Sequence, residues 1–179
     1  MLKPRWMVLG AMILAAALSR LIPHPPNLAS VSAVALFGGA YLADKRVAFL
    51  LPLAALFLSD LVLGFYRHME IVYLSFAVIV GIGRLLQNNR SVPRVAGAAL
   101  ASSFVFFVMS NFGVWAFGSM YPKTFDGLTT CYVAAIPFFW NTLQGDLLYT
   151  ALLFGGFSLL ERRFSSLRQT SAPSGMRYA

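Results

Sequence analysis

A series of apolar runs, each close to the length a lipid bilayer demands, constrains this chain more than any other feature. Short segments holding nearly all the Lys and Arg residues separate them. A hydrocarbon core of about 30 Å takes about 20 residues of helix, with about 17 to 25 tolerated. On that measure six spans are expected, over residues 6–21, 28–43, 47–65, 71–86, 95–117 and 140–160. The expected fold is therefore an all-α membrane protein with six transmembrane helices in a compact bundle. The stretch 127–160, interrupted by Pro137, Asn141, Gly145 and Asp146, is too long for one span and short for two. It predicts a short interfacial or re-entrant helix over 128–138 ahead of the last span. Residues 1–163 then form the transmembrane domain, and the Ser-, Gly- and Arg-rich residues 164–179 a disordered cytoplasmic tail.

Composition agrees with a membrane solvent. Hydrophobic residues make up 59% of the 179 positions, charged residues 11%, and the mean hydropathy is +0.72. The length leaves room for one domain, so any energy taken from ATP must come through another polypeptide. The net charge of +8 would suggest nucleic acid in a soluble protein, but here the cations lie between apolar runs and report topology. With the N-terminus inside, Lys3, Arg5, Lys45, Arg46, Arg84, Arg90, Arg94, Arg162, Arg163, Arg168 and Arg177 are cytoplasmic. Only Arg20, Arg67 and Lys123 are outside. That bias puts both termini of an inner-membrane protein in the cytoplasm.

Polar side chains inside hydrocarbon are costly, by about 2.5 to 3.5 kcal/mol for Asp, Lys or Arg at mid-helix, so their positions carry information. Asp60 and Asn111 lie late in outward-running spans, whereas Asn141, Gln144 and Asp146 fall early in an inward-running one. All five map to the outer half of the membrane, beside loops carrying Arg20, His24 and Asn27. A polar pocket over an apolar floor suits capture of a ligand from outside and does not make a through-going channel. The structural reading is that Asp60 and Asp146 pair with Arg20 or Arg67 to fasten helices. Trp115 and Trp140, each near an intramembrane Asn, are the aromatic residues expected to face a ligand; Trp and Tyr also anchor membrane interfaces.

Cys131, the one cysteine, excludes an internal disulfide. With His24 it offers a ligand pair for a soft metal or a corrinoid, although a lone Cys in an apolar helix is usually a small core residue. No HExxH, GxSxG or P-loop pattern supports catalysis, and no metal site or cofactor is expected. Ala11 and Ala15 give the first span a small-residue face, and Ala35 with Gly39 and Gly97 with Ala101 do likewise. Such faces serve internal packing or docking of a partner helix.

The segments SRLIPHPPN (19–27), ALFGGAY (35–41), LPLAALFLSDLVLG (51–64), SNFGVW (110–115) and CYVAAIPFFWNTLQGD (131–146) resemble a bacterial family of candidate transport proteins. That family is similar to the S-components, the substrate-binding subunits of energy-coupling-factor (ECF) transporters. The resemblance implies six helices, a vitamin or metal ion bound on the outer side, and docking on an ECF transmembrane subunit driven by two ATPases. It also implies that Ala11 and Ala15 form the docking AxxxA pattern. The expected function is capture of a small vitamin-like nutrient by Arg20, His24, Asn27, Asp60, Asn111, Trp115, Trp140, Asn141 and Asp146. Its partners would be that small molecule, membrane lipid and the ECF module, not nucleic acid. Two other readings stay open: a structural or assembly protein without ligand, and a membrane enzyme modifying corrinoids through Cys131.

Overall fold

A computed structural model of the chain describes residues 4–25, 27–28 and 31–168, with the side chain of Val31 excepted. Among these residues all regular structure is helical. Helix α1 covers Pro4–Leu18 and closes in a 3₁₀ turn, Ser19–Leu21; α2 covers Val31–Tyr41, α3 Lys45–Leu63, α4 Met69–Arg84 and α5 Val92–Phe117. Helix α6 runs from Phe125 to Thr150 and passes through a π turn, Ala151–Gly155, into α7, Gly156–Arg163. A last 3₁₀ turn spans Ser165–Leu167.

Four segments are long and apolar enough to cross a membrane: Pro4–Leu21, Lys45–Leu63, Val92–Phe117 and Phe125–Arg163. Two of these starts are fixed by side chains that satisfy the free N–H groups of a first turn. Asp44 Oδ1 accepts from Arg46 N at 2.8 Å and Val47 N at 3.1 Å. Thr124 Oγ1 accepts from Gly127 N at 3.2 Å.

The expected break before a sixth span is absent. Phe125–Thr150 is one continuous helix, so residues 128–138 are not a separate re-entrant element. Pro137 removes a single backbone donor, and the helix runs through it. This moves Asp146 from the first turns of a short span to about 31 Å along a long helix, at 1.5 Å per residue. There it pairs with Ser103, near the middle of α5.

Helix α2 is shorter than expected. Its 11 residues reach about 16 Å, half the thickness of a bilayer core. It is also the centre of the molecule: from Ser32 to Leu42 every residue is buried. Little hydrophobic effect drives helices together in lipid, so close packing and hydrogen bonds must hold such an element. Small residues supply the packing. A Cβ on Gly38 would fall 2.4 Å from Pro52 Cγ, so the α3 ring seats against the α2 backbone at that point. At the C-terminus of α2, Gln87 Nε2 donates to Gly39 O and Leu42 O, both at 3.0 Å, and Arg90 Nη1 donates to Ala40 O at 2.8 Å. These donors meet carbonyls that the helix leaves free, and Arg90 complements the negative end of its dipole.

The end of the bundle where α2 stops carries most of the cations. Arg5, buried, pairs with Glu161 and donates to Leu167 O, while its guanidinium lies 5.0 Å from the Phe157 ring. Leu167 is buried, so part of the segment expected to be a disordered tail, residues 165–167, folds back on α1. Residues 169–179 of that segment lie outside the described residues.

Candidate functional site

Helix α2 is about half as long as a bilayer core is thick, and the described residues between the 3₁₀ turn Ser19–Leu21 and α2, 22–25 and 27–28, are not helical. Non-helical backbone at membrane depth needs protein or a lined cavity around it. A cavity of about 520 Å³ occupies this half of the molecule. Arg20, His24, Asn27 and Tyr66 line it from the connections; Leu63 and Val72 come from α3 and α4. Phe106, Phe107, Ser110, Asn111 and Val114 of α5 face Ala135, Phe138, Phe139, Thr142 and Asp146 of α6. Ser32, in the first turn of α2, completes the wall.

Arg20 is the best-held group near the mouth. Its Nη1 donates to Asp60 Oδ1 at 2.8 Å and to Ser59 Oγ, and Tyr73 OH donates to Asp60 Oδ2 at 2.9 Å. Asp60 is fully buried and lies behind Arg20, off the cavity wall. The carboxylate therefore balances the arginine charge and ties α3 and α4 to the end of α1. The nearby Tyr66 hydroxyl has its pKa raised, first by burial and then by the Asp60 charge, against lowering by Arg20. It remains a proton-bearing donor at neutral pH.

Halfway down, Asn111 lines the cavity with its Nδ2 donating to Phe107 O at 2.8 Å. At the deep end lies Asp146, 1% exposed, whose Oδ2 accepts from Ser103 Oγ at 2.7 Å. The Ser32 hydroxyl and the backbone N–H groups of Ser32 and Ala33, in the first turn of α2, face the same carboxylate. By distance and angle, however, neither Asp146 Oδ1 nor Ser32 Oγ has a hydrogen-bond partner.

Of the residues expected at a site, the structure brings Arg20, His24, Asn27, Asn111 and Asp146 to one cavity, with Asp60 one layer behind. It does not bring the two tryptophans there. Trp140 is 57% exposed on the outer surface of α6. Trp115 packs over the α5–α6 connection, where its Nε1 donates to Pro122 O at 2.9 Å and Lys123 reaches its carbonyl. Asn141 is also off the wall. Cys131 is buried behind α5, with Sγ 3.5 Å from Asn111 O, and does not meet His24 in the cavity. Among the described residues no group of three or more His, Cys, Asp or Glu is placed to hold a metal ion. Sequence reasoning missed Ser32, Thr142, Phe106 and Phe107, and placed Phe138 and Phe139 beside the polar region without assigning them to the wall. The period of α5 and α6 puts Phe106, Phe107, Phe138 and Phe139 within reach of Asn111 and Asp146, which is the signal that could have found them.

A second cavity of about 610 Å³ lies at the cation-rich end, between the start of α5 and the π turn. Arg90 there already donates to Ala40 O and lies 4.5 Å from the Tyr41 ring, and Glu161 pairs with Arg5. Thr150 Oγ1 is its one unpartnered buried atom among the described residues. The first cavity is the better candidate site.

The chain belongs to a family of unknown function, DUF6580, whose sequence profile matches residues 1–169. No curated protein and no solved structure matches it.

Proposed function

We propose that this chain is the substrate-capture subunit of an ECF-type importer, binding a small vitamin-like nutrient from the outer face of a bacterial inner membrane. The observation that carries the reading is the cavity: about 520 Å³, walled by aromatic rings, with convergent polar groups and a buried carboxylate at its deep end. Small-molecule sites have this size and this mixture of apolar wall and few polar groups. The cation bias puts the opposite end of the bundle in the cytoplasm, so the cavity mouth faces out. Both termini are then cytoplasmic. In this reading the chain crosses the bilayer six times, with the half-length α2 contributing to the second crossing.

Docking on a transmembrane subunit is assigned to α1. Met7, Ala11, Leu14, Ala15 and Leu18 form an exposed stripe at helical spacing, and Ala11 and Ala15 let a partner backbone approach. A corrinoid enzyme acting through Cys131 gains nothing from the geometry, because the thiol is buried away from the cavity.

Mass spectrometry of small molecules retained by the chain purified in mild detergent tests the reading. The wild type should retain one compound in near-stoichiometric amount, and Thr142→Trp, which drives an indole into the cavity, should lose it. A folded wild type that retains no more than the Thr142→Trp chain would overturn the proposal.

A further inference from the structure

The second cavity is a groove of a different kind, and its use depends on the chain lying in a bilayer but not on the first cavity taking a nutrient. We propose that it holds one anionic phospholipid of the cytoplasmic leaflet, with an acyl chain along the groove and the phosphate against Arg90. Small residues on both walls leave the room: Ala96 comes from α5, Ala151 and Gly155 from the π turn, and a Cβ on Gly155 would meet nothing within 4 Å. Val92 at 82% exposure and Leu147 at 39% open the groove to the outside of the bundle, where a bilayer presents lipid. The buried rings of Tyr41 and Phe154 close its back.

Polarity changes along this groove as it does along a lipid. Its apolar end is at Leu147, and its polar end, toward the cytoplasm, carries Ser158, Glu161 and Arg90. From Leu147 to Ser158 the wall rises about 16 Å, against about 15 Å for half of a hydrocarbon core. Glu161 is paired with Arg5, so Arg90 sets the sign of the polar end. Its guanidinium lies 4.5 Å from the Tyr41 ring and gives Nη1 to Ala40 O; among the described residues its other nitrogens meet no protein acceptor. A guanidinium held in place with N–H groups to spare suits a phosphate. Arg94, exposed in the first turn of α5, adds a second cation at that end. Basic pockets between helices on the cytoplasmic side take anionic head groups for the same reason.

The test is native mass spectrometry of the full chain, stripped of lipid in detergent and titrated with phosphatidylglycerol, phosphatidylcholine of the same acyl chains, and glycerol 1-phosphate. One phosphatidylglycerol should bind, about tenfold more tightly than phosphatidylcholine, and glycerol 1-phosphate should not bind at the same concentration. Gly155→Trp, which fills the groove from a position with open space, should lose the lipid while unfolding at the wild-type temperature. Arg90→Gln should erase the preference for the anionic head. Because that change also frees Ala40 O, its fold is checked by thermal unfolding, and Gly155→Trp decides the matter if it fails. Equal affinity for the two lipids, no lipid bound to the folded wild type, undiminished binding by Gly155→Trp, or glycerol 1-phosphate binding as tightly as the lipid would each overturn the proposal. Thr142→Trp, which closes the first cavity, should leave lipid binding unchanged, so failure of the nutrient reading and failure of this one are told apart.

Discussion

Gly39 of α2 and Gly83 of α4 bring two helix backbones into direct contact. A Cβ on Gly39 would stand 2.2 Å from Val80 O and 3.0 Å from Gly83 Cα, and one on Gly83 would stand 2.3 Å from Leu36 O. Neither obstacle is a flexible side chain, so the helices must separate to admit a methyl group. Gly39→Ala and Gly83→Ala should each destabilise the protein by about 1–3 kcal/mol, as overpacking of a close contact does. Gly81→Ala meets nothing within 4 Å and is the control. Denaturation in mixed micelles measures all three, and equal stability of Gly83→Ala and wild type would remove the claim of contact.

The Arg20–Asp60 pair predicts an asymmetric response to mutation. Arg20→Ala leaves a fully buried carboxylate without its cation, which costs about 3–5 kcal/mol. Adding Asp60→Asn to that variant should recover much of the loss, because the charge is gone. Tyr73→Phe, removing one hydrogen bond to Asp60, should cost only about 1–3 kcal/mol. A double variant no more stable than Arg20→Ala would mean the pair matters through packing and not through charge.

Trp140 and Thr142 stand two residues apart on α6 with opposite exposures, 57% and 8%. Trp140→Ala should leave ligand retention unchanged, whereas Thr142→Trp should abolish it. Retention measured by mass spectrometry on both variants checks this; loss in Trp140→Ala would return that ring to the site.

The exposed stripe of α1 predicts a separation of functions. Ala11→Trp and Ala15→Trp should change stability by no more than about 0.5 kcal/mol, since both side chains point away from the bundle. Ligand retention should persist while uptake into cells fails. Normal uptake by both variants would exclude this face as the docking surface.

Run length located α1, α3 and α5 in the sequence, because lipid thickness fixes how much apolar helix a crossing needs, and it found α4 too, although its 16 residues are not among the segments long enough to cross. It misplaced the rest where tertiary contacts outweigh local signals. Pro137 looked like a terminator, yet a helix loses one hydrogen bond at an interior proline and its neighbours hold the remainder. The second expected span, 28–43, is short and polar at its start in the sequence, and α2 occupies its later part, Val31–Tyr41. Asp60 and Arg20 were visible as a possible pair forty residues apart, but sequence alone could not decide between fastening and ligand contact. Choosing tryptophans by nearness to Asn ignored depth: Asn111 lines the cavity while Trp115, on the same face but one turn on, sits over the connection to α6. Phenylalanines facing a cavity and those facing lipid look alike in one dimension.

Helix α2, with its side chains from Ser32 to Tyr41 all turned to protein, has nothing by which lipid can hold it. Biogenesis must therefore seat α2 late, when longer helices made after it have closed around the place it fills. Full-length chain carrying Ala35→Cys should resist maleimide in intact membranes, and a chain ending at residue 66 should be labelled there readily. Equal protection of both would mean that the segment finds its depth unaided, as a swift early inserter and not as the keystone set last.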